Sequence, residues 1–490
     1  LGVQGAILQK SPLAAGGKSM NYDIIVLGAG SAGLNIAGFM NTLKLRVLLV
    51  EKRVVGGDCL NYGCVPSKAL IAVAHTVGYA RSAQKFGIHP VGTVEMKKVA
   101  ETIAARQGVI RAHENPDYFR QKGIDVEIGT PRFVSGNSIE INGRECSARR
   151  IVIATGSRPA VPLIEGIDKV DYFTNETIFA NRELPGTLLV IGGGPVGIEL
   201  AQAYQRLGAQ VIVLVRGDQI LKKEDKDISG ALLTVLKKEG IDFRLGFRPV
   251  RFVDKNTLIV APLSGRETGE QTITFDRVLI AAGRQPNIEG LDLENAGIKI
   301  ENNKIITNKF LRTSNKRVYC CGDVAGDYLF THWAEYQASL VIKNMLTPFK
   351  KSPDRSLIAW VTYTDPEVAT FGLRSWQLEK EDISYKTISL PMREVDRAIC
   401  EGIDNGLLKV HISRGKIMGG TLMAKNAGEM VGELMSFMTL KIPFSRIYNR
   451  IYPYPTMARV HRKAVQKYLG EKLTPRVIGA LKRLYRIFNR

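Results

Sequence analysis

The chain has 490 residues, 45% of them apolar, with a formal net charge of +21 and six cysteines. That length exceeds what one hydrophobic core serves, so about two to four domains are expected. Cysteines this sparse exclude a disulfide-stapled secreted domain, and no uncharged apolar run reaches the roughly 18 residues of a membrane-spanning helix. A reducing, cytoplasmic setting suits the composition. The charge by itself is compatible with anionic ligands, an anionic membrane surface or nucleic acid.

Residues 1–19 are small and polar and lack a leading methionine, with Gly16-Gly17-Lys18-Ser19 before Met20. They read as a tag or processed leader, and the fold is expected to start at Met20.

Tyr22 to Leu27 is a short apolar run, followed by Gly28-Ala29-Gly30-Ser31-Ala32-Gly33 and a helical pattern from Leu34 to Leu43. A glycine-rich turn between a strand and a helix is a dinucleotide site. Gly28 permits the turn, Gly30 lets backbone approach a pyrophosphate, and Gly33 lets the helix pack on the strand. A second strand from Arg46 to Val50 ends at Glu51, 18 residues past Gly33, where a carboxylate commonly holds a ribose hydroxyl.

Gly57-Asp58-Cys59-Leu60-Asn61-Tyr62-Gly63-Cys64-Val65-Pro66-Ser67-Lys68 comes next. Proline fits a first helical turn, so Cys64 is expected at or just before a helix N-terminus, where the dipole and unsatisfied N–H groups favour a thiolate. The two sulfurs, five positions apart, read as a redox-active dithiol; the alternative is two unrelated buried cysteines. A helical stretch from about Ala69 to Tyr118 follows, then a strand from Ile151 into Ala154-Thr155-Gly156.

A second cycle begins at Thr187 with Gly192-Gly193-Gly194-Pro195-Val196-Gly197-Ile198-Glu199, 164 residues after the first glycine turn, and so forms an internal repeat. Its second strand, Val211 to Val215, ends at Arg216 where the first cycle has an acid, with Lys222 and Lys223 close behind. A guanidinium can fork onto a 2′-phosphate that a carboxylate would repel, which favours NADPH over NADH. The cycle closes at Gly283-Arg284. A further strand leads into Gly322-Asp323, and a helix is expected from Thr331 through Leu346. Beyond Pro353, segments Leu357–Thr362, Lys386–Leu390, Gly406–Ile412 and Lys416–Met423 read as an antiparallel sheet, with helices at Gly428–Leu440 and Pro443–Ile451.

Together these residues resemble the flavin-dependent pyridine nucleotide–disulfide oxidoreductases, the group of glutathione reductase, dihydrolipoamide dehydrogenase and mercuric reductase. The resemblance runs from Tyr22 to about Gln466 and rests on both G-x-G-x-x-G turns, Cys-x4-Cys-x-Pro-Ser-Lys, Ala-Thr-Gly, Ala-Ala-Gly-Arg and Gly-Asp. It implies an α/β fold with two Rossmann-like domains, for FAD and NAD(P), plus a C-terminal α+β dimerisation domain. The corresponding boundaries are 1–19 leader, 20–160 and 285–354 FAD domain, 161–284 NAD(P) domain, 355–470 dimerisation domain and 471–490 basic tail. By resemblance, Gly28, Gly30, Gly33, Glu51 and Asp323 contact FAD, and Gly192, Gly194, Gly197 and Arg216 the nicotinamide nucleotide. Ser31, Ala32, Lys52, Gly57, Asp58, Ala154, Thr155, Gly156, Gly283, Arg284 and Gly322 complete the cofactor-binding set. Cys64 resembles the flavin-proximal thiol, Cys59 the thiol that meets substrate, and Lys68 and Glu199 an ion pair beside the flavin.

One family feature is replaced. The usual acid/base is a His-Pro with a glutamate five residues on, and here those positions hold Tyr454 and Arg459. A phenol with a pKa near 10 cannot shuttle protons at neutral pH as an imidazole does. Tyr454 and His332, the latter at the start of the expected Thr331 helix, are the candidate substitutes. Mercuric reductases are similar in placing tyrosine there, but they end in a vicinal cysteine pair, whereas the last cysteine here is Cys400. Cys320-Cys321 reads as strand packing, and the remaining histidines lack metal-site spacing, so no resident metal is expected.

Between Met457 and Arg490 ten Lys/Arg face a single acid, Glu471 (10 − 1 = +9). Val477, Ile478, Leu481, Leu484, Tyr485 and Phe488 would share one helical face opposite Lys482, Arg483, Arg486 and Arg490, which suits an anionic membrane surface or a protein partner, or packing on the protein's own dimer. The expectation is therefore a cytoplasmic, in part membrane-peripheral, homodimeric FAD enzyme that takes electrons from NADPH through Cys59–Cys64 to a small-molecule or metal-ion acceptor, with no nucleic acid partner. Lipoamide or glutathione disulfide reduction is the alternative within the family. A redox-responsive binding flavoprotein with little turnover is the alternative outside it.

Overall fold

The computed structural model describes residues 20–263 and 269–489, in two compact units. The reading placed on residues 1–19 lies outside the described residues.

The first unit takes the chain up to Gly57, then Ala112–Ser157 and Pro286–Pro353. At the centre of its seven-stranded sheet, Met20–Leu27 lies between two parallel neighbours, Val47–Glu51 and Arg144–Ile153, with Ile25 opposite both Leu48 and Ile151. Asp125–Ile128 and Val318–Cys320 extend the parallel part, and Ser138–Ile141 and Arg132–Ser135 add an antiparallel flank. Ile24 to Leu27 are all buried, as a parallel strand covered on both faces requires. Alternation sorts them: Ile24 and Val26 pack with Ile36, Met40, Ala338 and Val341 of helices Ser31–Thr42 and Thr331–Leu346. Ile25 and Leu27 pack with Phe133, Ile139, Leu291 and Ile305. The Thr331 helix has the limits expected from its periodicity.

The second unit holds Asp58–Arg111, Arg158–Gln285 and the chain from Asp354. Its five-stranded parallel sheet runs in the order Asp242–Leu245, Gln210–Val215, Thr187–Ile191, Arg277–Ile280, Tyr172–Phe173. Helix Pro195–Leu207 packs against it and, on its other side, against helix Cys64–Ser82, through Ile198, Ala201, Tyr204, Leu70, Ile71 and Ala74. A separate antiparallel sheet, ordered Ala359–Thr362, Glu367–Gly372, Lys416–Ala424, Leu407–Ser413, Lys386–Pro391, is backed by helices Ala427–Thr439 and Arg459–Gly470.

Three local expectations are corrected. The continuous helical stretch from Ala69 to Tyr118 is three helices, Cys64–Ser82, Met96–Arg111 and Pro116–Gln121, because Gly87 and Gly92 take positive φ (79° and 115°) in the segment between the first two. Glu367–Gly372 is a strand that the sequence pattern missed. It lies inside the sheet and five of its six residues are buried, so it carries no polar alternation. The helix expected at Pro443–Ile451 is only a short 3-10 helix, Phe444–Asn449.

Candidate active site and nucleotide cradles

In the first unit, the turn after Met20–Leu27 is built so that side chains cannot enter it. Gly28 has φ 105°, and a Cβ there would stand 2.3 Å from the Ala154 carbonyl oxygen; one on Gly33 would stand 1.9 Å from the Gly28 oxygen. A Cβ on Gly57 would meet the Gly30 Cα at 2.6 Å, so Gly30 and Gly57 leave a bare backbone surface. Helix Ser31–Thr42 has Gly30 as its N-cap and no side chain capping it, which leaves N–H donors and the positive dipole end for an anion. Glu51 closes the turn: its carboxylate accepts from the Ala29 and Arg53 N–H groups, both at 2.8 Å. Ala32 and Ala154 are buried, whereas Lys52 is exposed. This cradle fits the pyrophosphate of a dinucleotide such as FAD, since a Cβ would fill it.

Asp323 follows Gly322, whose φ is 78° and whose N–H donates to the Gln337 side chain at 2.8 Å. The Asp323 carboxylate accepts from the Ser157 hydroxyl at 2.6 Å. Thr155 and Gly156 lie in the same turn: Thr155 donates its hydroxyl to the Asn287 carbonyl at 2.7 Å, and the Asn287 amide donates back to the Thr155 carbonyl at 2.9 Å. Ser157 and Asn287, at strand ends, and Gln337, inside helix Thr331–Leu346, escaped the sequence reading because a lone polar residue carries no pattern.

The dithiol segment belongs to the second unit. Cys59 sits half-buried in the short helix Gly57–Asn61, and Cys64 is exposed as the first residue of helix Cys64–Ser82, whose N-cap, Gly63, has no side chain with which to cap it. The turn is tight at Gly63, where a Cβ would fall 2.9 Å from an Asp58 carboxylate oxygen and 3.3 Å from the Cys59 Cα. Asp58 anchors the loop. Arg284 reaches it at 3.2 Å, and the Asn175 amide donates both to it (3.2 Å) and to the Tyr62 carbonyl (3.1 Å). Arg284, expected to line a cofactor site, thus holds the cysteine loop, and Asn175 is an addition that sequence alone did not offer.

One helical turn past Cys64, Lys68 projects on the same face and its ammonium lies 2.7 Å from Glu199 of helix Pro195–Leu207. Burial opposes the charge on Lys68, but Glu199 and, more weakly, Cys64 and Tyr363 outweigh it and raise its pKa. Tyr363 frames the pair. Its ring lies 4.4 Å from the Lys68 nitrogen, and its backbone N–H donates to the other Glu199 oxygen at 2.9 Å.

The second glycine turn repeats the first. Gly192 has φ 135° and no room for a Cβ, which would stand 2.2 Å from the Ala281 carbonyl oxygen, and a Cβ on Gly197 would stand 2.2 Å from the Gly192 oxygen. Gly194 faces open space and caps the helix, with Pro195 in its first turn. Gly283 has φ 142°, and its carbonyl accepts from the Ala160 N–H at 2.9 Å. Arg216, Lys222 and Lys223 are all exposed after the strand Gln210–Val215. Just beyond them, Glu224 and Asp225 are buried as pins. Glu224 accepts from the Trp360 indole (2.6 Å) and the Thr370 hydroxyl (2.5 Å), and Asp225 pairs with Ser375 (2.7 Å) and Lys409 (2.8 Å). Burial pushes the Glu224 pKa up. Burial also pushes on Asp225, but bonds from His411, Lys409 and Ser375 outweigh it and hold its pKa well below the carboxylate range.

The two candidate acids are both exposed. His332, the second residue of its helix in the first unit, stacks on Phe330 with ring centroids 5.4 Å apart. Tyr454, in the second unit, is 68% exposed with the Arg459 guanidinium 5.0 Å above its ring. Seven residues further on, a histidine–carboxylate pair is present but sealed in the core: the His461 ring nitrogen lies 2.7 Å from Glu433, which also accepts from Tyr452 (2.6 Å) and Arg450 (2.9 Å). Cys320 and Cys321 are fully buried, and burial pushes the Cys321 thiol up to about 12. Among the described residues no group of three or more His, Cys, Asp or Glu is placed to hold a metal ion, and no helix is long and apolar enough to cross a membrane.

Residues 22–338 match the family model described as pyridine nucleotide-disulphide oxidoreductase, and residues 358–465 match its dimerisation domain. A mercuric reductase from Staphylococcus aureus is 32% identical over 444 residues, covering 89% of this chain and 81% of that protein. A dihydrolipoyl dehydrogenase from Thermus scotoductus is 34% identical over 451 residues, 89% of this chain and 95% of that one. Among solved structures, the Cu(II) complex of the HOCl-induced flavoprotein disulfide reductase RclA from Escherichia coli superimposes with a TM-score of 0.80 at 25% identity, over 91% of this chain and 99% of that one.

Proposed function

The chain belongs to the pyridine nucleotide-disulphide oxidoreductases, enzymes that use NAD(P)H and flavin and carry a dimerisation domain, and from that premise we propose that it is an NADPH-preferring, FAD-dependent reductase whose Cys59–Cys64 pair passes electrons to a thiophilic metal ion. One observation carries the choice of acceptor. The position that serves a thiol as proton shuttle in disulfide reductases holds Tyr454, an exposed phenol under a guanidinium rather than an imidazole beside a carboxylate. An acceptor that bonds to sulfur and takes electrons without a proton needs no such shuttle. The relatives named for Hg(II) reduction and the Cu(II) complex of RclA support the same class.

Bound FAD supplies the two-electron carrier between nicotinamide and sulfur. The residues of this chain do the rest. The bare backbone from Gly28 to Gly33 and the Glu51 carboxylate bind and orient the dinucleotide. Lys68 holds positive charge next to Cys64, and the open N-terminus of helix Cys64–Ser82 adds its dipole, so Cys64 is favoured as thiolate and as leaving group. Glu199 and the Tyr363 backbone fix where that charge sits. Asp58, held by Arg284 and Asn175, keeps Cys59 and Cys64 on one tight turn. Each turnover moves one electron pair: NADPH loses a hydride, the Cys59–Cys64 bond is cleaved to one thiol and one thiolate, the thiolate on Cys64, and these re-form the bond with release of one proton as one two-electron metal ion or two one-electron ions are reduced. Arg216, followed by Lys222 and Lys223, offers the basic cluster that a 2′-phosphate needs.

The reading is tested by offering the holoenzyme NADPH with Hg(II), Cu(II), a short-chain quinone, lipoamide and glutathione disulfide in turn, with Cys59→Ser beside wild type. Metal-dependent turnover that Cys59→Ser abolishes supports it. Faster turnover with lipoamide would favour the dihydrolipoyl dehydrogenase relatives instead. No turnover with any acceptor would favour a flavoprotein that binds and signals.

A further inference from the structure

Helices Arg459–Gly470 and Pro475–Phe488 are consecutive, yet they treat their apolar faces in opposite ways. The first buries Val460, His461, Ala464, Val465 and Tyr468 against the antiparallel sheet. The second buries nothing. Val477, Ile478, Leu481, Leu484, Tyr485 and Phe488 line one side and are 40–79% exposed. On the helical wheel the opposite arc is Arg476, Lys482, Arg483 and Arg486. Thr474 caps the helix, accepting the Val477 N–H, and Pro475 opens it. The link to the body of the protein is short and held: Lys386 pairs with Glu471, and the Lys472 ammonium sits 4.2 Å from the Tyr468 ring.

A 14-residue helix with no buried residue on its apolar stripe gains little from burial in its own chain, and helices of that length are marginal alone in water. Something must cover the stripe, and charge says what. From Lys472 to Arg490 there are six basic residues and no acidic one. A second copy of this chain, with formal charge +21, would bring like charge against like if the two tails met. An anionic surface is the complementary partner. The arrangement of an apolar stripe, a basic opposite face and an aromatic at each of Tyr485 and Phe488 is that of a helix lying in a lipid headgroup layer.

We propose that helix Pro475–Phe488 docks this enzyme on an anionic lipid surface, its apolar stripe inserted at the headgroup–acyl boundary and its arginines and lysines on the lipid phosphates. In a homodimer the two helices bind as a bivalent pair, so that weak single attachments add up to stable but reversible association. Each basic residue near such a surface contributes about five-fold in affinity, and salt screens that part. The inference is independent of the acceptor and stands whether or not the metal reading does.

The test is vesicle flotation of the full-length FAD-loaded protein with phosphatidylcholine vesicles, with and without about one-third phosphatidylglycerol. Three forms are compared: wild type, Leu481→Glu/Leu484→Glu, and Arg483→Glu/Arg486→Glu. These side chains are exposed and outside the cradles and cysteine loop, so flavin content, thermal midpoint and solution turnover should match wild type. Wild type should float with anionic vesicles at low salt, at least ten-fold less with neutral ones, and both variants should stay in solution. Equal partition of wild type and the leucine variant would overturn the proposal, as would no flotation at low salt. Conversion of the leucine variant from dimer to monomer, read by analytical ultracentrifugation, would also overturn it, by assigning the stripe to the dimer contact.

Discussion

The Lys68 ammonium lies 2.7 Å from Glu199, 131 residues away in sequence, and the same lysine sits one helical turn from Cys64. Because Cys64 helps raise the Lys68 pKa, reciprocity requires Lys68 to stabilise the Cys64 thiolate. Lys68→Met should therefore move the pH profile of Cys64 alkylation to higher pH. It should also slow thiol-dependent turnover by about 10–100-fold, as loss of a charged interaction worth about 1.5–3 kcal/mol would. Iodoacetamide labelling with mass-spectrometric readout checks the first, and single-turnover kinetics the second. Tyr363→Phe should change neither, since its backbone N–H, not its hydroxyl, holds Glu199.

Arg216→Ala should raise the KM for NADPH by about 10–100-fold and leave that for NADH within two- to three-fold, since a charged hydrogen bond to phosphate is worth about 1.5–3 kcal/mol. Steady-state kinetics with both coenzymes gives the answer. Equal loss with both would mean that Arg216 does not meet a 2′-phosphate.

Gly28→Ala should fold poorly or lose flavin, because the new Cβ would be 2.3 Å from a carbonyl oxygen in a backbone with φ 105°. Gly194→Ala, where nothing lies within 4 Å, should keep flavin and fold. The ratio of flavin absorbance to protein, measured on both purified variants, separates a steric requirement from mere composition.

Glu433 sets a pH dependence of stability. Burial raises its pKa, but His461, Tyr452 and Arg450 more than offset this and lower it to about 2. A carboxylate whose folded pKa is depressed contributes stability above its unfolded pKa, near 4.5, and loses it as pH falls toward 2. Urea unfolding should therefore show stability declining between about pH 5 and pH 2, with Glu433→Gln less stable at pH 7 and flatter over that window. An unchanged slope in the variant would assign the acid sensitivity elsewhere, Asp225 being next.

What could be read from sequence follows the range of each interaction. Gly28, Gly192 and the cysteine turn are local, fixed by backbone geometry within a few residues, and glycine, proline and spacing report them. The contact of Lys68 with Glu199 was reachable only through the family resemblance, because nothing in either segment points to the other. Asp58 with Arg284, Glu224 with Trp360 and Thr370, and Glu433 with His461 join segments 28 to 226 residues apart and leave no pattern in either partner. Strand Glu367–Gly372 escaped for the opposite reason: it is so deeply buried that it has no polar face to alternate with.

The central claim is that electrons from NADPH come to rest on Cys59 and Cys64. Anaerobic stepwise titration of the oxidised holoenzyme with NADPH, followed by visible absorbance, tests it most directly. The first two electrons should leave the flavin oxidised and produce the long-wavelength band of a thiolate facing it, and Cys64→Ser should lack that band. Bleaching of the flavin from the first equivalent in wild type, with no such band, would contradict the relay and move the chemistry onto the flavin alone.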